Sequence, residues 1–221
     1  MPAASAVSKA RALTREDVIA AAVDLVAEEG YAGLSMRTLA QRCGVATMTL
    51  YRHVATKEDL MAALVDRALE ELELPEPGAL GWQEQISTVF GSVYDLLLEH
   101  PDLVDIATRQ PVAGEAAYRG AEVVLDALER AGIEGETAAS AFATLFAYTL
   151  GFLQQQLHSQ APSLAHRQAV LDSLPVDDFA HLAKLGPVFL LRHSRRHFED
   201  GLDLIIAGLA ARATKPKKGR S

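Results

Sequence analysis

Apolar residues recur along this chain with a helical period almost from end to end. Val18, Ile19, Ala22, Leu25 and Val26 share one side of a helix that Thr14 can cap, with Asp17 three residues on, and that Gly30 can stop. Ser35 can cap a second helix, Met36–Arg42. Cys43-Gly44-Val45 reads as a turn, and Thr47–His53 as a short third helix. Thr56 can cap a fourth, with Leu60, Met61, Leu64, Val65, Ala68 and Leu72 on one face. Pro75-Glu76-Pro77-Gly78 then breaks the pattern and marks a junction. Beyond it the period predicts helices over 82–99, 102–109, 115–131, 137–158, 178–185 and 192–211. Segment 159–176, with Pro162 and Pro175, stays unassigned. No run alternates long enough for a strand. The expectation is all-α: a small three-helix unit over 13–56, a connecting helix over 57–74 and a larger helical domain over 79–211. An arm, 1–12, and a basic tail, 212–221, flank them.

Residues Ser35 to Val54, SMRTLAQRCGVATMTLYRHV, meet the demands of a helix-turn-helix. Ala40 is small where the two helices touch. Gly44, four positions on, tolerates the positive φ a tight turn needs. Leu39, Cys43, Val45 and Leu50 are spaced to join the helices. A helical hairpin that never meets DNA would satisfy the same packing, but the second helix has a suggestive outer face. It offers Thr47, Met48, Thr49, Tyr51, Arg52 and His53. Thr and Arg can read base edges, while Tyr, His and Lys can hold phosphates. Lys57 opens the fourth helix, adding a charge to a helix N-terminus. Arg37 and Thr38, early in the supporting helix, are candidates for the neighbouring backbone.

Charge sharpens this. The 221-residue chain carries a formal net charge of −8, which excludes a general coating of nucleic acid. Yet Gly30 to Lys57 contains no Asp or Glu, while Arg37, Arg42, Arg52 and Lys57 lie within it. An acid-free basic window on an acidic chain fits one polyanion-binding face. No stretch is long and apolar enough to span a membrane, so a cytoplasmic protein is expected. Cys43, the single cysteine, reads as a small buried side chain. Enzyme and small-molecule carrier are the rival classes, but the chain has no P-loop, G-x-S-x-G, H-E-x-x-H or paired cysteine ligands. No catalytic residue, metal or cofactor is therefore expected. His193 and His197 have a metal-holding spacing, but Arg192, Arg195 and Arg196 crowd them with positive charge. The tail reads as solvated and disordered, with phosphate contact the alternative.

Residues 13–72 resemble the DNA-binding domain of the tetracycline-repressor (TetR) family. The likeness rests on Gly30-Tyr31, the run LSMRTLAQRCGV, then TLYRHV and Thr56-Lys57-Glu58-Asp59-Leu60. It implies a homodimer of nine or ten helices per subunit that binds a double-stranded DNA operator, usually as a repressor, with a small-molecule effector in the C-terminal domain. That domain resembles the tetracycline-binding member more weakly, through Trp82, Thr108-Arg109 with Pro111, and Thr149-Leu150-Gly151 with Gln155 and His158. Asp105 stands where that member's magnesium-binding histidine would be. Glu73, Val89, Val124, Phe142 and Phe146 replace other pocket residues. The implied lining is Val89, Val93, Leu125, Phe142 and Phe146, with Asp105, Thr108, Arg109 and Gln155 as polar anchors; plain core packing is the alternative for each apolar residue. This suits a mostly apolar organic molecule. Ala139, Ala143, Ala147 and Gly151 form a row of small residues suited to a symmetry-related helix or to close packing within one subunit. Leu202, Ile205, Ile206 and Leu209 form a second stripe for the same contact.

Overall fold

The computed structural model describes residues 12–109, 113–158, 163–190 and 194–213. Eleven α-helices and no strand lie among them: α1 (Arg15–Gly33), α2 (Met36–Arg42), α3 (Thr47–Leu50), α4 (Lys57–Leu69), α5 (Trp82–Glu99), α6 (Pro101–Arg109), α7 (Glu115–Arg130), α8 (Gly135–His158), α9 (Leu164–Asp172), α10 (Ala180–Leu185) and α11 (Arg195–Ala210). A 3-10 turn, Gly186–Leu190, follows α10.

Caps begin the first two helices as expected. Thr14 and Asp17 close a reciprocal capping box on α1, and Ser35 and Thr38 close another on α2. Several boundaries differ from expectation, among them the start of the last helix, which Ser194 caps so that it begins at Arg195 and not at 192. Gly30 bends α1 rather than ending it: its φ of 71° breaks the ladder, and one more turn carries the chain to Gly33. The α-helical part of the third helix is only Thr47–Leu50. Arg52 and His53 continue it through tighter bonds to the carbonyls of Thr49 and Leu50, at 3.2 and 2.8 Å. The fourth helix ends at Leu69, where Glu71 and Leu72 bond back three residues and tighten the coil before the prolines. In the unassigned segment, Ser163 accepts a bond from the His166 N–H at 3.2 Å and starts α9.

Two cores result. The head core gathers Val18, Ala22, Leu25, Leu39, Leu50, Val54, Leu60 and Leu64. The body core is built on α5, which lies against α4, α6, α7, α8 and α11. Its aromatic centre is Phe198, fully buried, stacked on Tyr94 at 4.4 Å and on Tyr148 at 5.5 Å, with Phe152 edge-on. Arg195 lies 5.3 Å from the centre of the Tyr94 ring and pairs with Asp95 and Glu199. Buried Gln85 donates to the Val123 carbonyl at 2.7 Å and accepts from Arg130 at 2.6 Å, joining α5 to α7 without an orphaned amide. Helix α4 belongs to both cores: Leu64 is buried in the head and Val65 in the body. By contrast α9, α10 and the 3-10 turn pack chiefly on one another and leave Leu164, Val170, Val176, Phe179, Leu185, Val188 and Phe189 exposed.

Because Phe198 carries three ring contacts at the centre of the body, Phe198→Ala should destabilise the protein by about 3–5 kcal/mol. Urea unfolding followed by circular dichroism should show a lower midpoint with little change in slope.

Candidate DNA interface and ligand pocket

The turn between α2 and α3 is set by Gly44. Its φ is 66°, and its N–H bonds to the Gln41 carbonyl at 3.2 Å while the Val45 N–H reaches the Ala40 carbonyl at 3.0 Å. That pair of bonds is a Schellman termination, which favours glycine at this position. Ala40 is 2% exposed, and Leu39, Leu50 and Val54 are fully buried, so the two helices are pinned by the contacts expected of them.

The outward residues of α3 then follow. Met48 is 75% exposed and Tyr51 43%. Arg52 is exposed, and Thr47, Thr49 and His53 are half-buried. Lys57, on the first turn of α4, and Arg37, on α2, are also exposed. Thr38 has a different part: its hydroxyl accepts from the Ser35 N–H at 2.9 Å and lies 2.9 Å from the Gly33 carbonyl, so it caps α2. Arg42 turns back onto α1 and forms a two-armed pair with Glu28 at 2.6 Å.

Residues outside the motif hold it in place. Arg15 of α1 donates to both oxygens of Asp59 at 2.8 and 2.9 Å and to the His53 carbonyl at 2.9 Å. It straps the end of α3 to the start of α4. The Arg15 guanidinium holds the Asp59 carboxyl below its ordinary range, helped by the Ala55 N–H. Arg15 went unsuspected because its partners lie 38 and 44 residues away, and no local spacing marks such a pair. Cys43 is half-buried, not buried as expected, and desolvation pushes its thiol up, which favours the protonated form.

A second feature is an apolar cavity of about 170 Å³ in the body. Its walls are Val65 and Leu69 of α4, Leu72 and Leu74 beyond it, Val89, Phe90, Val93 and Leu97 of α5, Ala107 of α6, Ala116 to Tyr118 with Gly120 and Ala121 of α7, and Phe142, Phe146 and Leu150 of α8. The Phe142 and Phe146 rings lie nearly parallel, 8° apart in tilt and 6.2 Å between centres. Val89, Val93, Phe142 and Phe146 thus sit together. Leu125 packs against the core but is not part of this wall. The four polar candidates also lie off it. Asp105 is half-buried, and Thr108, Arg109 and Gln155 are exposed. The Thr108 hydroxyl bonds to the Val104 carbonyl of its own helix at 2.9 Å. The unforeseen wall is the start of α7, whose only sequence signal is its small residues, Ala116, Ala117, Gly120 and Ala121.

On the outer face of α8, Ala143 and Ala147 are exposed and Gly151 is half-buried. Leu204 of α11 is 76% exposed, whereas Leu202 and Ile206 are 2% and 5% exposed and point into the chain's own core. Pro111, Pro162, His193, residues 1–11 and residues 214–221 lie outside the described residues. His197 lies 2.9 Å, by Nδ1, from the Ser194 hydroxyl that caps α11. No cluster of three potential metal ligands occurs among the described residues, and no described helix is long and apolar enough to cross a membrane.

The head matches the family model described as bacterial regulatory proteins, tetR family, over residues 18–64. The body matches the tetracyclin repressor-like C-terminal domain over residues 74–213. Together with the pinned α2–α3 pair, these matches define a helix-turn-helix transcriptional regulator with a ligand-binding body, not an enzyme. More particularly, the chain belongs to the TetR family of transcriptional repressors. It is 33% identical over 220 residues to the HTH-type transcriptional repressor DrrR1 of Streptomyces coeruleorubidus, covering 89% of this chain and 77% of that one. Among solved structures it is similar to the Streptomyces coelicolor TetR family protein ActR in complex with actinorhodin. That likeness has a TM-score of 0.81 and 31% identity, and covers 93% of this chain and all of that one. It is also similar to BioQ with its double-stranded DNA operator, with a TM-score of 0.63 and 25% identity, covering 90% and 99% of the two chains.

The strap between Arg15 and Asp59 has a pH signature. The folded-state value of Asp59 is depressed, so its contribution is complete above the unfolded value of about 3.9 and is lost as pH falls through the folded value. Thermal melts should therefore separate wild type from Asp59→Asn near neutral pH. The gap should close in the acid range below about pH 4.

Proposed function

We propose that this repressor binds a palindromic operator as a homodimer in the cytoplasm and is released from it by a mostly apolar, planar small molecule. The observation that carries the reading is the pairing, on one chain, of an exposed α3 with an aromatic-walled cavity, the two being bridged by α4. Two copies of α3 would enter successive major grooves about 34–36 Å apart. Thr47, Met48, Thr49 and Arg52 would meet base edges, with Tyr51, His53, Lys57 and Arg37 on phosphates. DNA in the BioQ complex and actinorhodin in the ActR complex support the two halves of this assignment by likeness.

Among the described residues, the cavity wall carries no charged side chain. A chelated metal–drug complex there would leave donors and acceptors unpaired, at roughly 1–3 kcal/mol each. A neutral polycyclic molecule, lying along the parallel Phe142 and Phe146 rings, suits it. For the dimer, exposed Ala143 and Ala147 with half-buried Gly151 on α8, and exposed Leu204 on α11, offer small and apolar surface of the sort a symmetric helix contact uses.

The first test is a duplex selected by the wild-type protein from a randomised pool, followed by fluorescence anisotropy. Lys57→Ala should weaken every duplex alike and flatten the salt dependence, because phosphate carries no base information. Thr47→Ala should relax preference at one base pair by about 1–3 kcal/mol. In the same assay, 1,8-dihydroxyanthraquinone should displace the duplex and magnesium–tetracycline should not. Wild-type binding by both variants would refute the placement of α3 in the groove.

The second test concerns the dimer. A side chain added at Gly151 meets nothing within 4 Å inside the subunit. Gly151→Leu should therefore fold normally but overpack a symmetric contact, at about 1–3 kcal/mol per site. Light scattering should give a dimer for wild type and a monomer for the variant. A variant that stays dimeric would put the interface elsewhere.

A further inference from the structure

Helix α7 begins without a cap of its own. Its N-cap residue is Gly114, which has no side chain to accept from the first free N–H groups. The acceptor comes from a different helix. The Asp66 carboxylate of α4 accepts from the Ala117 N–H at 2.9 Å and from the Ala116 N–H at 3.4 Å. A negative group at a helix N-terminus is also favoured by the helix dipole. The space is made for it: a Cβ on Gly114 would lie 1.9 Å from the Asp66 carboxyl carbon. A side chain at 114 would push the Asp66 carboxylate off the two amides it caps.

The same residues border the cavity. Asp66 stands between Val65 and Leu69 on α4, and its two amide partners belong to Ala116 and Ala117; all four of these neighbours line the wall. The opposite end of α4 carries Lys57 and, through Asp59 and Arg15, the end of α3. Lys57 lies nine residues from Asp66 on a continuous helix, a lever of about 13 Å at 1.5 Å per residue.

We infer that Asp66 is the positioning residue that couples the cavity to the DNA-binding head: by capping α7 it fixes α4 to the wall that a bound ligand displaces. The inference rests on reading the cavity as the effector site. A ligand that shifts the start of α7 must break or carry with it the bonds to Asp66, and α4 then tilts at its DNA end. Coupling of this kind is reciprocal, so DNA binding must in turn be felt at the α7 amides. A cap that only stabilised α7 would show no such response.

The test uses the full-length protein and the duplex selected by wild type. Amide hydrogen exchange over residues 114–121 should slow in wild type when the duplex binds. In Asp66→Ala, exchange there should be faster and indifferent to the duplex. In anisotropy, the ratio of duplex affinities without and with saturating 1,8-dihydroxyanthraquinone, on the order of 5–150-fold for coupled sites, should fall towards one in Asp66→Ala while the variant still binds both partners. Gly114→Ala offers a second route, since it leaves the carboxylate but fills its space, and should produce the same loss. A wild-type response in either variant would overturn the inference, as would exchange at 114–121 that ignores the duplex in wild type. Failure of the probe to bind wild type would instead count against the cavity reading, and the duplex-dependent exchange would then decide the role of Asp66 by itself.

Discussion

The molecule depends on the fact that α4 has two buried faces. Leu64 and Val65 are adjacent in sequence, roughly 100° apart around the helix, and each is sealed in a different hydrophobic core. Neither core can lose α4 without exposing apolar surface, and neither can move against the other without α4 moving as well. A regulator needs such an element. Its head and body are built from different parts of the chain, and a packed element shared by both is a physical route by which one biases the other.

Polar contacts complete what the apolar ones begin. At the DNA end, Arg15 closes on Asp59 and the His53 carbonyl; at the cavity end, Asp66 closes on the amides of α7. Both use charged groups at partly exposed positions, where an ion pair by itself adds little. Their effect is geometric. Each satisfies backbone groups that would otherwise be free, and each sets the angle at which α4 meets its neighbour.

The basic window around α3 divides for a similar reason. Arg42 is drawn to Glu28, and Thr38 is used by the cap on α2, so neither side chain is simply presented to solvent. Met48 and Tyr51 remain exposed although both are largely apolar. Apolar exposure at the tip of a helix otherwise dressed with Thr, Arg and His is what thymine methyl groups and sugar faces would reward.

Local chemistry was legible in the sequence. The caps at Thr14, Ser35 and Thr56, the glycine turn at Gly44, the helical period and the α2–α3 motif each depend on residues a few positions apart, so spacing alone reveals them. The apolar half of the cavity, Val89, Val93, Phe142 and Phe146, was legible for the same reason, through a resemblance carried by short motifs. What depended on distance was not. Asp105, Thr108, Arg109 and Gln155 are polar residues near the right helices, but helix rotation and the end of α6 place them off the cavity wall. Leu202 and Ile206 share an apolar stripe that could equally face a partner or the subunit's own core, and only packing turns it inward. The bonds from Arg15 to Asp59 and from Asp66 to α7 span 44 and 51 residues. By itself the sequence determined most of the helices, several of their caps and the helix-turn-helix motif. Which faces meet, and therefore where the cavity lies and how α4 is held, was decided by tertiary structure, because side-chain direction is set by how whole helices pack.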